Sequence, residues 1–288
     1  MDTVTADDGR PLALQTLGDG PARPVLVVPG GPCRDPEYLG DLAGAAALRP
    51  LVVVHLRGTT ATGGLSRGWW RDADDLLAVR RHLGGPAVDV LAHSAGTRAA
   101  LALVARHPGA VRSLTLVTPS ASWLTGAAHD GAELVARRAD PVLDAAWASA
   151  VGRAREDEEG FQREREEQAA LGYARWTEVE RAHAQVGATR AASAHAWFRD
   201  VPGDAAERVL GADLPPTCVV AGRDDVLSGV APVRAYAAAL RARLVELDRC
   251  GHYPWVEQPD AFRIALGRWW ATLDEVGPAG LEPTTSAV

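Results

Sequence analysis

The chain has 288 residues, of which 47% are hydrophobic, and its formal net charge is −7. This size suits one large α/β domain with an inserted subdomain and is too small for two full domains. An acidic chain offers no basic face for phosphate groups, so we expect no nucleic-acid partner. No stretch approaches the roughly 20 apolar residues of a membrane helix, so we expect no membrane partner.

The cysteine and lysine content excludes further kinds of site. Cys33, Cys218 and Cys250 are widely spaced and match neither a disulfide framework nor a zinc site, so we expect no metal and no other cofactor. The polar, acidic N-terminus is unlike a signal peptide, and with the isolated cysteines it favours a cytoplasmic location. All 30 basic residues are arginine, which excludes a catalytic lysine.

Short apolar runs alternate with segments of helical spacing along the chain. Residues 4–17 hold Asp8-Gly9 between two strand-like runs and predict an antiparallel hairpin at a sheet edge. Further strands are predicted at 24–28, 51–56, 88–92, 113–117, 217–221 and 243–247, and helices at 36–47, 70–83, 95–106, 232–242 and 259–273. This order predicts a mostly parallel sheet with helices on both faces.

The alternation stops between residues 122 and 210, where no strand is convincing and alanine, arginine and glutamate dominate. We interpret this segment as several helices that form a lid or cap over the strand ends. The chain is therefore divided into core residues 1–121, the lid 122–210, core residues 211–275, and a tail, 276–288, that is expected to be disordered.

The third of these apolar strands, residues 88–92, ends at His93, and Ser94 follows immediately before a helical segment. A strand, a sharp turn with serine at its tip, and a helix form the nucleophile elbow, usually written Gly-x-Ser-x-Gly. The strained turn needs small residues two positions away, and Ala92 and Gly96 are small. Because serine is a poor nucleophile alone, the motif predicts a histidine base and an orienting carboxylate later in the chain.

His252 is the candidate base, because it lies in a loop directly after the last predicted strand. The acid is expected after residues 217–221, where two carboxylates, Asp224 and Asp225, are adjacent. His93 flanks the nucleophile, so its side chain should point away from the reaction. His82, His107, His183 and His195 are expected to be solvated, whereas His55 ends a strand near the site and is expected to pack there or to line the pocket.

An oxyanion hole needs backbone N–H groups that point at the developing negative charge. One is expected from Ala95, at the positive end of the helix after the serine. The second is expected from the Gly-Gly-Pro loop after residues 24–28, with Gly31 as donor. Glycine at Gly30 and Gly31 would let the backbone approach a substrate closely.

Together these segments, over roughly residues 10–275, resemble the α/β-hydrolase superfamily, and most closely its proline iminopeptidase-like branch. The order serine, acid, histidine is the one expected for that fold. The resemblance also implies Asp225 rather than Asp224 as the acid, from the family's Gly-x-x-Asp spacing. Departures lie at Pro29, where that branch has histidine, and at the elbow, where Ala92, His93 and Ala95 replace Gly-Gly and tryptophan.

Iminopeptidases of this branch bind the substrate's free amine with lid carboxylates. The predicted lid holds acidic residues at Glu156, Asp157, Glu158, Glu159, Glu164, Glu166 and Glu167, interleaved with Arg153, Arg155, Arg163 and Arg165. The favoured interpretation is a solvated, salt-bridged helix surface, with Arg163 and Glu167 paired four residues apart. Trp176 is a candidate for lining an apolar substrate pocket.

The sequence therefore predicts a cofactor-independent serine hydrolase, in which Ser94, Asp225 and His252 cleave a small ester, amide or peptide. Two alternatives stay open. The same site could serve an acyltransferase, cyclase or lyase, depending on how far a lid excludes water. A non-catalytic binding protein on this scaffold is the third possibility, although such a protein would be free to lose one of the three residues.

Overall fold

A computed structural model describes residues 1–152 and 157–275, and an eight-stranded sheet runs through its centre. The strands are β1 (Asp2–Thr5), β2 (Pro11–Leu17), β3 (Val25–Val28), β4 (Leu51–Val54), β5 (Val88–His93), β6 (Val111–Val117), β7 (Thr217–Gly222) and β8 (Arg243–Leu247). Their order is β1-β2-β4-β3-β5-β6-β7-β8. β2 is antiparallel to β1 and β4, and the other pairs are parallel. The predicted α/β fold and edge hairpin are confirmed.

The central strands are apolar at nearly every position because helices cover both faces of the sheet. Along β3, all four residues are buried. Leu26 and Val28 pack into one apolar cluster. Val25 and Val27 pack into a second cluster on the opposite face.

Twelve α-helices are described. They are α1 (Ala73–Leu83), α2 (Gly96–Arg106), α3 (Ser122–Thr125), α4 (Gly131–Arg138), α5 (Pro141–Ala150), α6 (Glu158–Gln168), α7 (Glu178–Ala184), α8 (Ala191–Trp197), α9 (Ala205–Leu210), α10 (Val230–Ala239), α11 (Pro254–Glu257) and α12 (Pro259–Glu275). Helices α1, α2 and α10 supply the first apolar cluster, and α12 supplies the second. No helix among the described residues is long and apolar enough to cross a membrane.

The predicted helix at residues 36–47 is wrong. The segment instead forms two short 3-10 turns, Pro36–Leu39 and Ala45–Ala47. Between them Leu42 and Ala43 have positive φ values of 54° and 58°, which an α-helix cannot accommodate. The apolar residues of this segment are nevertheless buried, since Leu42 packs into the second cluster.

The described part of the segment between β6 and β7 contains helices α3 to α9, a 3-10 turn at Ala169–Gly172, and no strand. This agrees with the helical character expected for residues 122–210. Arg153, Arg155 and Glu156 lie outside the described residues, as does the tail 276–288, so the expectations for them stand as predictions.

The strand order places two loops side by side at the carboxyl edge of the sheet. β3 pairs with both β4 and β5, and Val28 lies opposite Ala92 in the last register position. The chain therefore leaves β3 and β5 next to one another, at the point where the strand order reverses. Such a switch point is where open α/β sheets form ligand-binding crevices.

At the opposite end of β5 a buried carboxylate joins three segments of the chain. Asp89 is 1% exposed and accepts hydrogen bonds from Arg49 Nη2 at 2.8 Å, Arg112 Nε at 2.8 Å and Ser113 Oγ at 2.6 Å. Arg49 is itself 4% exposed. Removal of the carboxylate would leave a buried guanidinium without its counter-charge, which is costlier than loss of the attraction alone.

Replacement of that carboxylate should therefore destabilise the fold strongly. Asp89→Asn should lower the free energy of unfolding by about 3–5 kcal/mol, the usual cost of removing one partner of a buried ion pair. Urea denaturation followed by circular dichroism would measure it.

The matched control is Asp248→Asn, because Asp248 is 75% exposed and pairs with Arg223 in solvent. Its effect should stay within about 1 kcal/mol. Equal destabilisation by the two variants would contradict the role given to Asp89.

Candidate active site

Ser94 lies at the turn between β5 and α2 and has a backbone φ of 50°. Non-glycine residues seldom adopt this left-handed region, so the turn needs support from its surroundings. The Ser94 N–H donates to the carbonyl of Val117 at 2.9 Å. Its own carbonyl accepts a hydrogen bond from Thr97 Oγ1 at 2.6 Å. The nucleophile candidate is thus held between the ends of two neighbouring strands and the first turn of α2.

The residues two positions from Ser94 are packed too closely for larger side chains. A Cβ atom at Gly96 would lie 2.3 Å from the carbonyl oxygen of Pro29. Ala92 is fully buried, opposite Val28. The small residues that the elbow requires therefore also let the loop after β3 approach Ser94.

The loops after β7 and β8 bring Asp225 and His252 together. His252 Nδ1 lies 2.9 Å from Asp225 Oδ2, and both residues are almost fully buried. The other carboxylate oxygen, Oδ1, accepts hydrogen bonds from the N–H groups of Leu227 and Ser228 at 2.9 and 3.1 Å. With its carboxylate held in this way, Asp225 orients the imidazole so that Nδ1–H is the donor.

Asp224 stands in a different position. It is half-buried, and its backbone N–H donates to the carbonyl of Cys250 at 2.9 Å. The structure thus brings Asp225, and not Asp224, into contact with His252.

The main chain of His252 is fixed as firmly as its ring. Its N–H donates to the carbonyl of Gly172 at 2.8 Å, which ties the histidine loop to the helical segment. Its carbonyl oxygen accepts two hydrogen bonds, from Thr118 Oγ1 at 3.0 Å and from the ring of His93 at 3.1 Å. The loop therefore has few conformations in which His252 could leave the site.

A buried chain of hydrogen bonds runs beneath Ser94. His93 Nε2 donates to the His252 carbonyl, so its Nδ1 is the unprotonated nitrogen. That nitrogen accepts from the hydroxyl of Tyr38 at 2.9 Å, and the same hydroxyl accepts from the Gly30 N–H at 2.6 Å. The chain joins the loops after β3, β5 and β8. The prediction that the His93 side chain points away from the reaction is wrong in that its ring lines the cavity with Ser94, although its two nitrogens are bound to Tyr38 and the His252 carbonyl.

Burial keeps the His93 ring neutral. Desolvation, and then the neighbouring His252, lower the pKa of His93 well below its ordinary value of 6.5. His183, expected to be solvated, is also half-buried: its Nδ1 lies 2.7 Å from Tyr173 Oη and its Nε2 2.8 Å from the Tyr38 carbonyl.

The two oxyanion candidates and Ser94 line the same cavity, whose volume is about 480 Å³. Gly31 has a φ of 48°, so the left-handed conformation there suits glycine. Gly30 lies deeper and does not line the cavity. A Cβ atom at Gly30 would come within 2.7 Å of both His93 and Ser94, so its glycine serves packing rather than substrate contact.

The cavity is lined by residues from both parts of the chain. Its lining combines Ser94, His252 and Ser228 from the strand ends with Phe161, Arg165, His195 and Phe198 from the helical segment. Its described lining includes the imidazoles of His93, His195 and His252 and two arginines, Arg34 and Arg165. Among the described lining residues there is no aspartate and no glutamate.

Trp176 is not among the described lining residues of this cavity. It is half-buried and packs against Tyr173, with ring centroids 5.4 Å apart. Its role is therefore to support Tyr173, which does line the cavity.

The acidic residues of the helical segment lie elsewhere as well. Asp157 accepts a hydrogen bond from the Gly160 N–H at the start of α6, and Glu158 accepts one from the Ala191 N–H. Arg163 pairs with Glu159 at 2.7 Å rather than with Glu167 as predicted. The expected solvated surface is confirmed for Arg163 and is wrong for Arg165.

Glu257, a residue that the sequence did not indicate, holds the histidine loop in place. Its carboxylate accepts hydrogen bonds from the N–H groups of Gly251 at 2.6 Å, Ala174 at 2.8 Å and Arg175 at 3.2 Å. Burial raises its pKa to about 7. A Glu-Gln pair after a proline and a tryptophan gives no sequence signal for this role, because its partners are backbone groups 6 to 83 residues away.

The described residues contain no group of three or more histidine, cysteine, aspartate or glutamate side chains that could hold a metal ion. All three cysteines are buried and free. Burial raises the pKa of Cys218 to about 12 and raises those of Cys33 and Cys250 as well. Their thiols therefore stay protonated and act as core side chains.

The family to which the chain belongs follows from its similarity to known protein families. A family model described as the alpha/beta hydrolase family matches residues 25–265. This protein belongs to the alpha/beta hydrolase family. The matched range spans the Ser94 turn, the Asp225 and His252 loops and the helical segment between β6 and β7.

Solved structures of other alpha/beta hydrolases share the fold. A provisionally assigned aryl esterase from Burkholderia cenocepacia aligns over 95% of this chain and 99% of its own, with a TM-score of 0.73 at 20% identity. An esterase from Rhodococcus sp. ECU1013 covers 94% and 98% (TM-score 0.72, 22% identity). A thermophilic esterase from Thermogutta terrifontis covers 94% and 98% (TM-score 0.65, 21% identity). Among curated proteins, no sequence matches this chain.

The neutral state of His93 in this hydrolase can be measured directly. Nitrogen-15 imidazole spectra should show the Nε2–H tautomer of His93 at both pH 8 and pH 6, because its pKa lies well below 6.5. In the unfolded chain the same ring takes up a proton near pH 6.5. The stability that neutral His93 contributes is thus present above pH 6.5 and is lost as the pH falls, by up to about 1.4 kcal/mol per pH unit.

Tyr38→Phe is the matched variant, since it removes only the hydroxyl that donates to His93 Nδ1. It should shift the Nδ1 resonance and leave the tautomer unchanged. A His93 ring that titrates near pH 6.5 in the folded protein would contradict this account.

Proposed function

We propose that this alpha/beta hydrolase is a serine hydrolase that cleaves the ester bond of a small substrate. The observation that carries the proposal is the 2.9 Å contact between Asp225 and His252, whose ring faces the same cavity as Ser94. The left-handed turn at Ser94 supports it, since the nucleophile elbow needs that conformation. The relatives named above as esterases support the ester class.

In the proposed reaction Ser94 Oγ attacks the ester carbonyl while His252 Nε2 takes the hydroxyl proton. The tetrahedral intermediate then collapses, and the alcohol leaves with the proton from His252. Water then attacks the acyl-enzyme while the same nitrogen takes one of its protons. The acid departs and Ser94 recovers its proton, so the enzyme is unchanged after one turnover.

Asp225 acts through His252 and touches no reacting atom. Its carboxylate holds Nδ1–H as the donor, which leaves Nε2 as the lone-pair nitrogen facing the cavity. It also stabilises the imidazolium that forms when the serine proton is transferred. Its two backbone N–H partners keep it in this orientation before substrate arrives.

The oxyanion would be bound by the backbone N–H groups of Gly31 and Ala95. Both residues line the cavity beside Ser94, and Ala95 precedes the first residue of α2. The positive end of the helix dipole favours negative charge there. Preorganised donors of this kind stabilise the charge that develops in the transition state.

Residues 122–210 would form a lid over this site. The support is that Phe161, Arg165, His195 and Phe198, all from this segment, line the same cavity as Ser94 and His252. The carbonyl of Gly172 anchors the segment to His252. We assign substrate selection to these residues and the chemistry to the strand-end loops.

An amide or peptide substrate, as in the proline iminopeptidase-like branch, is less well supported. The Gly-Gly-Pro loop after β3 favours that branch, but the cavity has no described carboxylate to bind a free ammonium group. Acyl transfer to an acceptor other than water would use the same residues. Product analysis with competing alcohols and amines would separate transfer from hydrolysis.

Two neighbouring carboxylates allow a matched test of which residue is the acid. Asp225→Asn should lower kcat by roughly 10²- to 10⁴-fold, because the amide favours the wrong histidine tautomer. Asp224→Asn should stay within about twofold, since Asp224 does not contact His252. Release of 4-nitrophenol from a short-chain ester would measure both variants beside Ser94→Ala, which should be inactive.

Comparable losses in Asp224→Asn and Asp225→Asn would reject Asp225 as the acid. Hydrolysis retained by Ser94→Ala would reject the mechanism itself.

The substrate class is tested by a panel of 4-nitrophenyl esters and amino-acid arylamides, with Ser94→Ala as the blank. We expect Ser94-dependent hydrolysis of the esters and little or none of prolyl arylamide, because the cavity wall carries positive rather than negative charge. Turnover of prolyl arylamide above that of the esters would restore the iminopeptidase assignment.

A further inference from the structure

Two arginines face the reaction cavity without a carboxylate partner. Arg34 follows the loop after β3, and Arg165 belongs to α6, so the two charges come from different segments of the chain. Neither forms an ion pair with any described residue. Since a buried or partly buried charge is costly unless it is compensated, a negative group in this cavity would be favoured.

Arg165 differs from its neighbour on the same helix. Arg163 is 54% exposed and pairs with Glu159 in solvent. Arg165 is half-buried, and its only hydrogen bond within the described residues runs from Nη1 to Gln162 Oε1 at 3.0 Å. One guanidinium of α6 is therefore satisfied at the surface, while the other keeps donors available towards the cavity.

Arg34 is held by neutral acceptors. It is 6% exposed, donates from Nε to the Val186 carbonyl at 3.0 Å and from Nη1 to Tyr253 Oη at 3.1 Å, and lies 4.3 Å from the centre of the Tyr38 ring. These contacts fix the guanidinium but leave its charge uncompensated. Arg34 thus adds a fixed positive charge to the wall.

Two acidic side chains attract Arg165 without forming an ion pair with it. Glu158 accepts hydrogen bonds from Gln162 Nε2 at 2.6 Å and the Ala191 N–H at 2.9 Å. Glu166 and Arg165 both line a second, smaller cavity of about 210 Å³, but they form no ion pair. Burial, and then the charge of Arg34, lower the pKa of Arg165 in spite of the attraction of these two acids.

A third arginine, Arg98, contacts two residues that line the cavity. Arg98 Nη2 donates to Ser120 Oγ at 3.1 Å, and its guanidinium lies 5.4 Å from the ring of Phe198. Ser120 and Phe198 both line the cavity. No described residue forms an ion pair with Arg98, and burial lowers its pKa only to about 10, so it stays charged at neutral pH.

We propose that the substrate carries an anionic group, a carboxylate or a phosphate, which Arg165 binds while Ser94 attacks the ester carbonyl. The inference rests on the proposed function and names its substrate class. A guanidinium fork matches the geometry of either anion. A cavity of about 480 Å³ has room for an ester and a second charged group in one small molecule. A substrate with a free ammonium group would be repelled by the same wall.

The test compares two esters of equal carbon count, mono(4-nitrophenyl) adipate and neutral 4-nitrophenyl hexanoate. The ratio of their kcat/KM values should favour the adipate in the wild type. Arg165→Gln should lower this ratio by roughly 10- to 100-fold, mainly through KM, as loss of a charge-assisted hydrogen bond implies. Arg163→Gln, on the solvent side of α6, should leave the ratio unchanged.

Binding without turnover gives an independent readout and distinguishes the two anions. Calorimetry should detect adipate and hexyl phosphate binding to the wild type, and the tighter of the two identifies the preferred group. Both should bind more weakly to Arg165→Gln and unchanged to Arg163→Gln. Equal binding by Arg165→Gln and wild type, or a wild-type preference for the neutral ester, would overturn the inference.

Failure of the inference and failure of the proposed function have different signatures. Ser94-dependent hydrolysis with no preference for the anionic ester would overturn the inference alone. Ester hydrolysis that survives Ser94→Ala would overturn the proposed function, and Arg165-dependent binding of the anions would still support an anion site in this cavity.

Discussion

The left-handed backbone at Ser94 is the constraint on which the arrangement around it depends. A turn this sharp forces Gly96 against the carbonyl of Pro29, which brings the loop after β3 beside the end of β5. The same turn starts α2 at once, so Ala95 and Gly31 line one cavity on either side of the serine. Strain at a single residue is therefore offset by contacts that also assemble the site.

Around this turn, buried polar contacts hold the loops in place, while residues of the helical segment line part of the cavity. His93, Tyr38 and the His252 carbonyl form a continuous path of hydrogen bonds between three loops. Such a network is favourable only when every member has a partner, so it restricts the loops to one arrangement. Arg165, by contrast, comes from α6 and leaves donors facing the cavity. The proposed reaction and the proposed substrate selection thus use different parts of the chain, which is how one fold accommodates many substrates.

Features of the site that depend on neighbouring residues could be predicted from the sequence. The strand-turn-helix pattern at Ser94 and the loop that holds Asp225 could be recognised, because turn sterics and strand ends leave short-range signatures. Residues 36–47 have helical apolar spacing yet form 3-10 turns, since packing against the sheet overrides propensity. The roles of Glu257 and Arg165 depend on distant backbone and on which face of a helix meets the cavity. Neither is encoded in local sequence.

The central claim is that Ser94 is a nucleophile activated by His252, and covalent labelling tests it most directly. A fluorophosphonate probe should add one adduct to the native protein, detected by mass spectrometry on the peptide that contains Ser94, with fluoride displaced by Ser94 Oγ. The rate should fall sharply in His252→Ala, and no adduct should form in Ser94→Ala. An unlabelled wild-type protein, or a label that persists in Ser94→Ala, would contradict the account.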